Sequence, residues 1–115
     1  MIPVNDIDTY IANFDDETQR RLKVIRQTAL SIFPHAKETI YHNLPTLWLN
    51  GKDILNYGAY KDHITLYIGY EATNIMRANH PQYQYKKASM MLSHSEPFPK
   101  ELMIELCEII GHILS

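Results

Sequence analysis

The sequence predicts an α+β fold with α-β-α element order, in which an antiparallel sheet packs in two layers against N- and C-terminal helices. Three observations predict it. Apolar residues recur at helical spacing from Ile7 to Ile32. A middle stretch rich in β-branched and aromatic residues is cut by the turn dipeptides Asn50-Gly51 and Lys61-Asp62. A final apolar stripe at helical spacing follows Pro99. The 115 residues make 13.4 kDa, enough for one domain over residues 1–115 and able to bury roughly two thirds of the unfolded surface.

The first helix carries Ile7, Tyr10, Ile11 and Phe14 on one stripe, with Asp6 or Asp8 as its cap. "FDDETQRR" restarts the pattern. Asp15 or Asp16 caps this second helix, and Asp16 and Glu17 suit the positive end of its dipole. Leu22, Ile25, Ala29 and Ile32 continue the stripe until Pro34, which disfavours helix in the residue before it.

"ETIYHNLPTLWLNG" reads as a first strand around Pro45, which cannot donate to a ladder and so marks an edge or a strand entry. The second strand runs over Ile54–Tyr60 and the third over His63–Ile68. If Tyr60 pairs with His63, Leu55, Tyr57 and Ala59 share a face with Ile64, Leu66 and Ile68. Tyr60, His63 and Tyr67 then share the other face. Loop length at Asn50-Gly51 decides whether Trp48 or the pair Leu47 and Leu49 faces the core. "EATNIMRANH" is a short helix closed by His80-Pro81, Ala88–Leu92 a fourth strand, and "SHSEPFP" a loop. Pro99 sits in the first turn of the last helix, where its missing N–H costs nothing. Leu102, Leu106, Ile109 and Ile113 form the buried stripe of that helix, with Met103 and Ile110 beside it.

Composition excludes several classes. A net charge of −2 argues against a nucleic-acid partner. "LMIELCEIIGHIL" is too short and too interrupted by charge to span a bilayer. "MIPVNDID" lacks a basic region followed by an apolar run, so no signal peptide is read there. A single cysteine, Cys107, rules out an intrachain disulfide and suits a cytoplasmic setting. Its place in the last helix makes it a small core residue. There is no P-loop, no G-x-S-x-G elbow, no H-x-x-x-H and no C-x-x-C, so neither an enzyme class nor a structural zinc site is legible.

Three groups of residues remain as candidates. His63, beside the Lys61-Asp62 turn and opposite Tyr60, suits proton transfer, ligand binding or metal ligation, and equally a surface histidine stacked on a tyrosine. Lys87 and Ser89 could supply charge and a hydroxyl to an anion, or simply guard a strand edge. Asp15, Asp16 and Glu17 could hold a hard cation exchangeably, although capping and dipole complementarity also account for them.

Certain of these pieces together resemble the bacterial YdhG-like family, a domain of unknown function. They are Tyr41-x-x-x-Pro45-Thr46, Asn50-Gly51-Lys52, Lys61-x-His63 leading to Tyr67, Lys87-Ala88-Ser89, and Pro97-Phe98-Pro99. The resemblance spans nearly the whole chain. It implies an antiparallel sheet packed on terminal helices, similar in outline to frataxin. Some members are described as iron chaperones, and the family is not a known enzyme class. Two departures stand out. Ala88 replaces the usual glycine, which would be strained if the backbone there needs positive φ. Gly111 and His112 stand where a basic residue is usual in the last helix.

The expectation drawn from this is a cytoplasmic binding protein without a tightly bound cofactor, carrying iron exchangeably on Asp15, Asp16 and Glu17. The alternative is a site for a small molecule or anion on the polar sheet face, built from Tyr60, Lys61, His63, Tyr67, Lys87 and Ser89. A third reading is a protein-interaction module anchored by Trp48, Tyr60 and Tyr67.

Overall fold

A computed structural model describes residues 6–115; residues 1–5, on which part of the reading of the N-terminus falls, lie outside it. The elements run α1 (Ile7–Ala12), α2 (Asp16–Ile32), β1 (Lys37–Tyr41), β2 (Leu44–Leu49), β3 (Lys52–Ala59), β4 (His63–Tyr67), α3 (Tyr70–Asn79), β5 (Gln84–Tyr85), β6 (Ser89–Ser93) and α4 (Lys100–Leu114). The strands form one antiparallel sheet in the order β1-β2-β3-β4-β6-β5. The α+β class and the helix-sheet-helix order are those the sequence predicts.

Register gives the sheet two unlike faces. Ala59 opposes Ile64, Tyr57 opposes Leu66, and these pair onward with Leu92 and Met90. With Leu47 and Leu55 they join Leu22, Ile25, Met76, Met103 and Leu106 of the helices in one buried core. The other face carries no large buried apolar side chain; its buried members are the small residues Thr46, Gly58, Thr65 and Ser89. Trp48 lies on this second face and Leu47 in the core, which settles the register across Asn50-Gly51. Both turn residues have positive φ, 53° and 80°, as a type I′ hairpin requires.

Several expectations are corrected. The strand around Pro45 is a hairpin: His42 and Asn43 take φ of 54° and 64° and separate β1 from β2. The turn was hidden because neither residue is glycine. Pro45 sits at the entry of β2, opposite Ile40. The two-residue strand β5 was also unforeseen; it is pinned by the Tyr85 hydroxyl, which donates to the carbonyls of Met76 and His80. Pro99 is the N-cap of α4 and not a first-turn residue. The buried stripe of α4 is Leu102, Met103, Leu106, Cys107 and Ile110, so it is centred nearer Met103 than expected; Ile109 and Ile113 are half-buried at its margin. Ala88 escapes the left-handed region, and its carbonyl accepts from Ile68 and Gly69 N–H, so replacing glycine there brings no strain.

Two arginines staple the layers. Arg21, only 6% exposed, donates to Glu17 at 2.8 Å and to the carbonyls of Ser93 and Glu96 at 3.3 and 2.9 Å, with Phe98 under its guanidinium. It fastens α2 to the loop between β6 and α4. Arg26 holds Glu38 of β1 through a paired contact and reaches Asp8 of α1.

Removing the Arg21 fork leaves two backbone carbonyls without their donor. Arg21→Ala is expected to cost about 2–3 kcal/mol of unfolding free energy, the scale of lost charge-assisted hydrogen bonds at a buried position. Urea denaturation followed by tryptophan fluorescence measures this, and a change below about 0.5 kcal/mol, the range of ordinary surface substitutions, would show the staple to be dispensable.

Candidate functional site

The β3–β4 hairpin builds the centre of the open face. Tyr60 N–H donates to the His63 carbonyl at 2.8 Å, closing the tip at Lys61-Asp62. His94 braces that tip from the following loop: its N–H donates to the Asp62 carbonyl, and its Nε2 lies 2.8 Å from the Tyr60 carbonyl. Strand alternation then puts Asn56, Gly58, Tyr60, His63 and Tyr67 on one side.

The tyrosine side chains meet. The Tyr60 and Tyr67 hydroxyls are 3.1 Å apart. This hydrogen bond, with some burial, pushes Tyr60 up to about 12. Either hydroxyl can donate in this bond, and the proton of the other is then left for the space in front of the pair. Gly58 admits close packing beside them: a Cβ there would meet Leu44 Cδ2 at 2.7 Å and the Tyr60 hydroxyl at 3.2 Å. Asn56 Nδ2 donates to Thr46 Oγ1 at 2.7 Å, and Thr46 donates to the Leu44 carbonyl. Asn56 Oδ1 has no hydrogen-bond donor among the described residues.

Asn56, Tyr60 and Tyr67 border a cavity of about 560 Å³ whose walls also include Tyr41, His42 and Asp53. Its outer wall is the β1–β2 tip, where the Tyr41 ring lies 4.0 Å from the His42 ring and 5.2 Å, edge-on, from Trp48. Asp53, Asn56 and Tyr67 are shared with an adjoining cavity of about 390 Å³ at the end of the sheet. The arrangement suits holding a small molecule: aromatic walls, a few convergent polar groups and a size in the usual range for ligand sites.

The residues singled out in the sequence separate into several places. Tyr60 and Tyr67 come together. His63 stacks on Tyr60 at 5.2 Å and 26° but lines a different cavity, beside Gln84 and Met91. Ser89 pairs with Tyr67 in register and is buried. Lys61 is exposed at the hairpin tip and borders a groove with Asp15 and Glu17. Lys87 lies 5.8 Å from the Tyr70 ring, at the start of α3. The lysines, His63 and Tyr67 therefore do not converge on one anion.

Asp15 is the N-cap of α2 without a side-chain capping bond, and Asp16 lies in the first turn. Glu17 is already engaged by Arg20 at 2.7 Å and Arg21 at 2.8 Å, which lower its pKa to about 2. Among the described residues no three His, Cys, Asp or Glu side chains are grouped as metal ligands. Cys107 is buried, and burial pushes its thiol up to about 12, in keeping with a core residue. No helix among the described residues is long and apolar enough to cross a membrane.

The sequence reading missed Tyr41, His42, Asp53, Asn56 and Gly58. Strand parity with Tyr60 contained the signal for Asn56 and Gly58. Asp53 was hidden by a bulge: Leu47 opposes Leu55 and Trp48 opposes Asp53, so Ile54 is the extra residue and Asp53 turns to the open face. Tyr41 and His42 were hidden with the unseen hairpin.

No protein-family model matches the sequence, and no curated protein does. Among solved structures, the crystal structure of a DUF1801-family protein, YdhG from Bacillus subtilis, superposes with a TM-score of 0.76. The two share 17% identity over 89% of this chain and 85% of that one. At that identity the likeness shows a shared fold.

Two outcomes follow from the titrations. In Tyr67→Phe, Tyr60 loses its hydroxyl partner, and its midpoint should fall from about 12 toward the ordinary 10.0. Tyrosine ring-carbon NMR across alkaline pH reads this, and an unmoved midpoint would mean burial alone sets it. Because the pKa of Glu17 is depressed, its pairing stabilises the fold above its ordinary 4.5 and is lost as pH falls toward about 2. Glu17→Gln should therefore flatten the acid limb of stability in that window, most visibly at low salt; superimposable urea midpoints against pH would remove Glu17 from the acid response.

Proposed function

We propose that the chain is a small-molecule-binding protein that holds a polar ligand against the open face of its sheet. The observation that supports this is the convergence of the Tyr60–Tyr67 hydroxyl pair and Asn56 on one aromatic-walled cavity of about 560 Å³. The hydroxyl pair offers one O–H donor there and Asn56 Oδ1 an acceptor. Gly58, beside the site, lets the Leu44 and Tyr60 side chains pack closely on the strand backbone. No paired nucleophile and base borders the cavity, so the reading is of binding and not of turnover.

The frataxin-like reading, an iron carrier, rests on the exposed acids of α2. Glu17 is engaged by two arginines, and among the described residues no further His, Cys, Asp or Glu groups with Asp15 and Asp16. It stands behind the cavity for that reason. The anion-binding version loses support from the separation of Lys61 and Lys87.

Amide NMR of the full chain tests both readings with separate probes. Small amides, amines, carboxylates and phosphate are titrated first, then ferrous iron without oxygen. Saturable shifts at Asn56, Gly58 and Tyr67 with one organic class are expected, and Tyr67→Phe should weaken that binding about fivefold to tenfold, the scale of one lost hydrogen bond. Shifts confined to Asp15, Asp16 and Glu17 with iron, and none at the cavity, would replace this function with iron carriage.

A further inference from the structure

Resting on the proposed sheet-face site, we infer that its ligand is a cation, an alkylammonium or quaternary ammonium group. It is seated against the rings of Tyr41, Tyr60 and Tyr67, with Asp53 as counter-ion. Charge is the first argument. Among the described residues the cavity wall holds one carboxylate, that of Asp53, one imidazole, that of His42, and no lysine or arginine. An anion placed there would meet like charge without a compensating partner, whereas a cation finds complementary charge.

Asp53 itself is the second argument. It is exposed and makes neither an ion pair nor a side-chain hydrogen bond among the described residues. Two lysines are its neighbours: Lys52 precedes it in β3, and Lys37 lies across Trp48 in the register. Neither is within ion-pairing distance. Other carboxylates, Asp15 and Asp16 among them, also lack an arginine partner among the described residues; Asp53 is the one that lines this cavity.

The rings are the third. Tyr41 is 41% exposed and Tyr60 43%, unusually open for large aromatic side chains on a sheet. Arg21, Arg77 and Lys87 already sit over Phe98, Tyr85 and Tyr70. No such side chain covers Tyr41, Tyr60 or Tyr67 among the described residues. His63 stacks on Tyr60 and His42 lies against Tyr41, so it is the exposed remainder of these rings, beside an unpaired carboxylate, that suits an ammonium group. Asn56 Oδ1 adds an acceptor for an N–H where the amine is not fully alkylated.

The test titrates the full chain, at fixed ionic strength, with tetramethylammonium chloride, with its neutral isostere tert-butanol, and with acetate, reading amide NMR shifts. Tetramethylammonium should move Asn56, Tyr60 and Tyr67 saturably and more tightly than either other probe. Asp53→Asn should weaken it about tenfold and Tyr60→Leu severalfold, the order expected for a lost counter-ion and a lost ring face. Both sites are exposed, and unchanged spectral dispersion confirms the variants are folded. If tert-butanol or acetate binds the same amides as tightly, or Asp53→Asn binds tetramethylammonium undiminished, the cation inference falls while the site stands. If no probe, including the wider set above, moves those amides, both fall together.

Discussion

The structure depends on a sheet that is covered on one face only. Six strands feed a single apolar core through Leu55, Tyr57, Ile64, Leu66 and Met90, and the helices bring Leu22, Ile25, Met76 and Leu106 to meet them. Burial of that face supplies the main driving force for folding. The opposite face has no helix core to fill it, so its centre must close on itself. Thr46, Gly58, Thr65 and Ser89 do this with small side chains. Larger side chains, Tyr41, Tyr60 and Tyr67, stand around that low centre.

Charge follows the same division. Arg21 and Arg26 lie on the helix layer, where they bind Glu17, Glu38 and Asp8 and fix α2 to the strands and loops beside it. Burial of the Arg21 side chain makes its contacts worth more than surface pairs. The carboxylates with arginine partners are spent on architecture. Asp53, on the far side of the sheet, has none. Among the described residues the arginine-paired carboxylates therefore belong to the helix side, and the carboxylate of the cavity wall lies on the open face.

The fold was legible because its signals are local. Helical spacing located α1, α2 and α4, and Asn50-Gly51 located a turn whose two positive φ values match its chemistry. The pairing of Tyr60 with His63 followed from strand parity, and with it the two hydroxyls that meet at 3.1 Å. The rest of the site was hidden by departures from regularity. His42-Asn43 makes a tight turn without glycine, and a single bulged residue, Ile54, sends Asp53 to the face that simple alternation denies it. Likewise, alternation placed His63 beside Tyr67, but only the stacking of its ring on Tyr60 shows that it opens onto a different cavity. Alternation predicts faces; it does not predict which neighbours on a face share a space.

The two walls of the cavity are held differently. The β3–β4 tip is tied by its own Tyr60–His63 backbone bond and by His94 from a separate loop. The β1–β2 tip has no side-chain hydrogen bond from His42 or Asn43 among the described residues, and its ring contacts are Tyr41 with His42 and Trp48. Two successive non-glycine residues at positive φ cost conformational energy, less for Asn43 than for His42. Such cost persists where surrounding structure over-determines it, and it gathers at ligand sites. Here the turn earns its place by projecting Tyr41 and His42 to the rim, opposite Tyr60. A glycine turn would be easier to form, but it would remove the His42 ring from that wall. The fixed wall sets the hydroxyl geometry, and the strained tip supplies the rings that complete the enclosure.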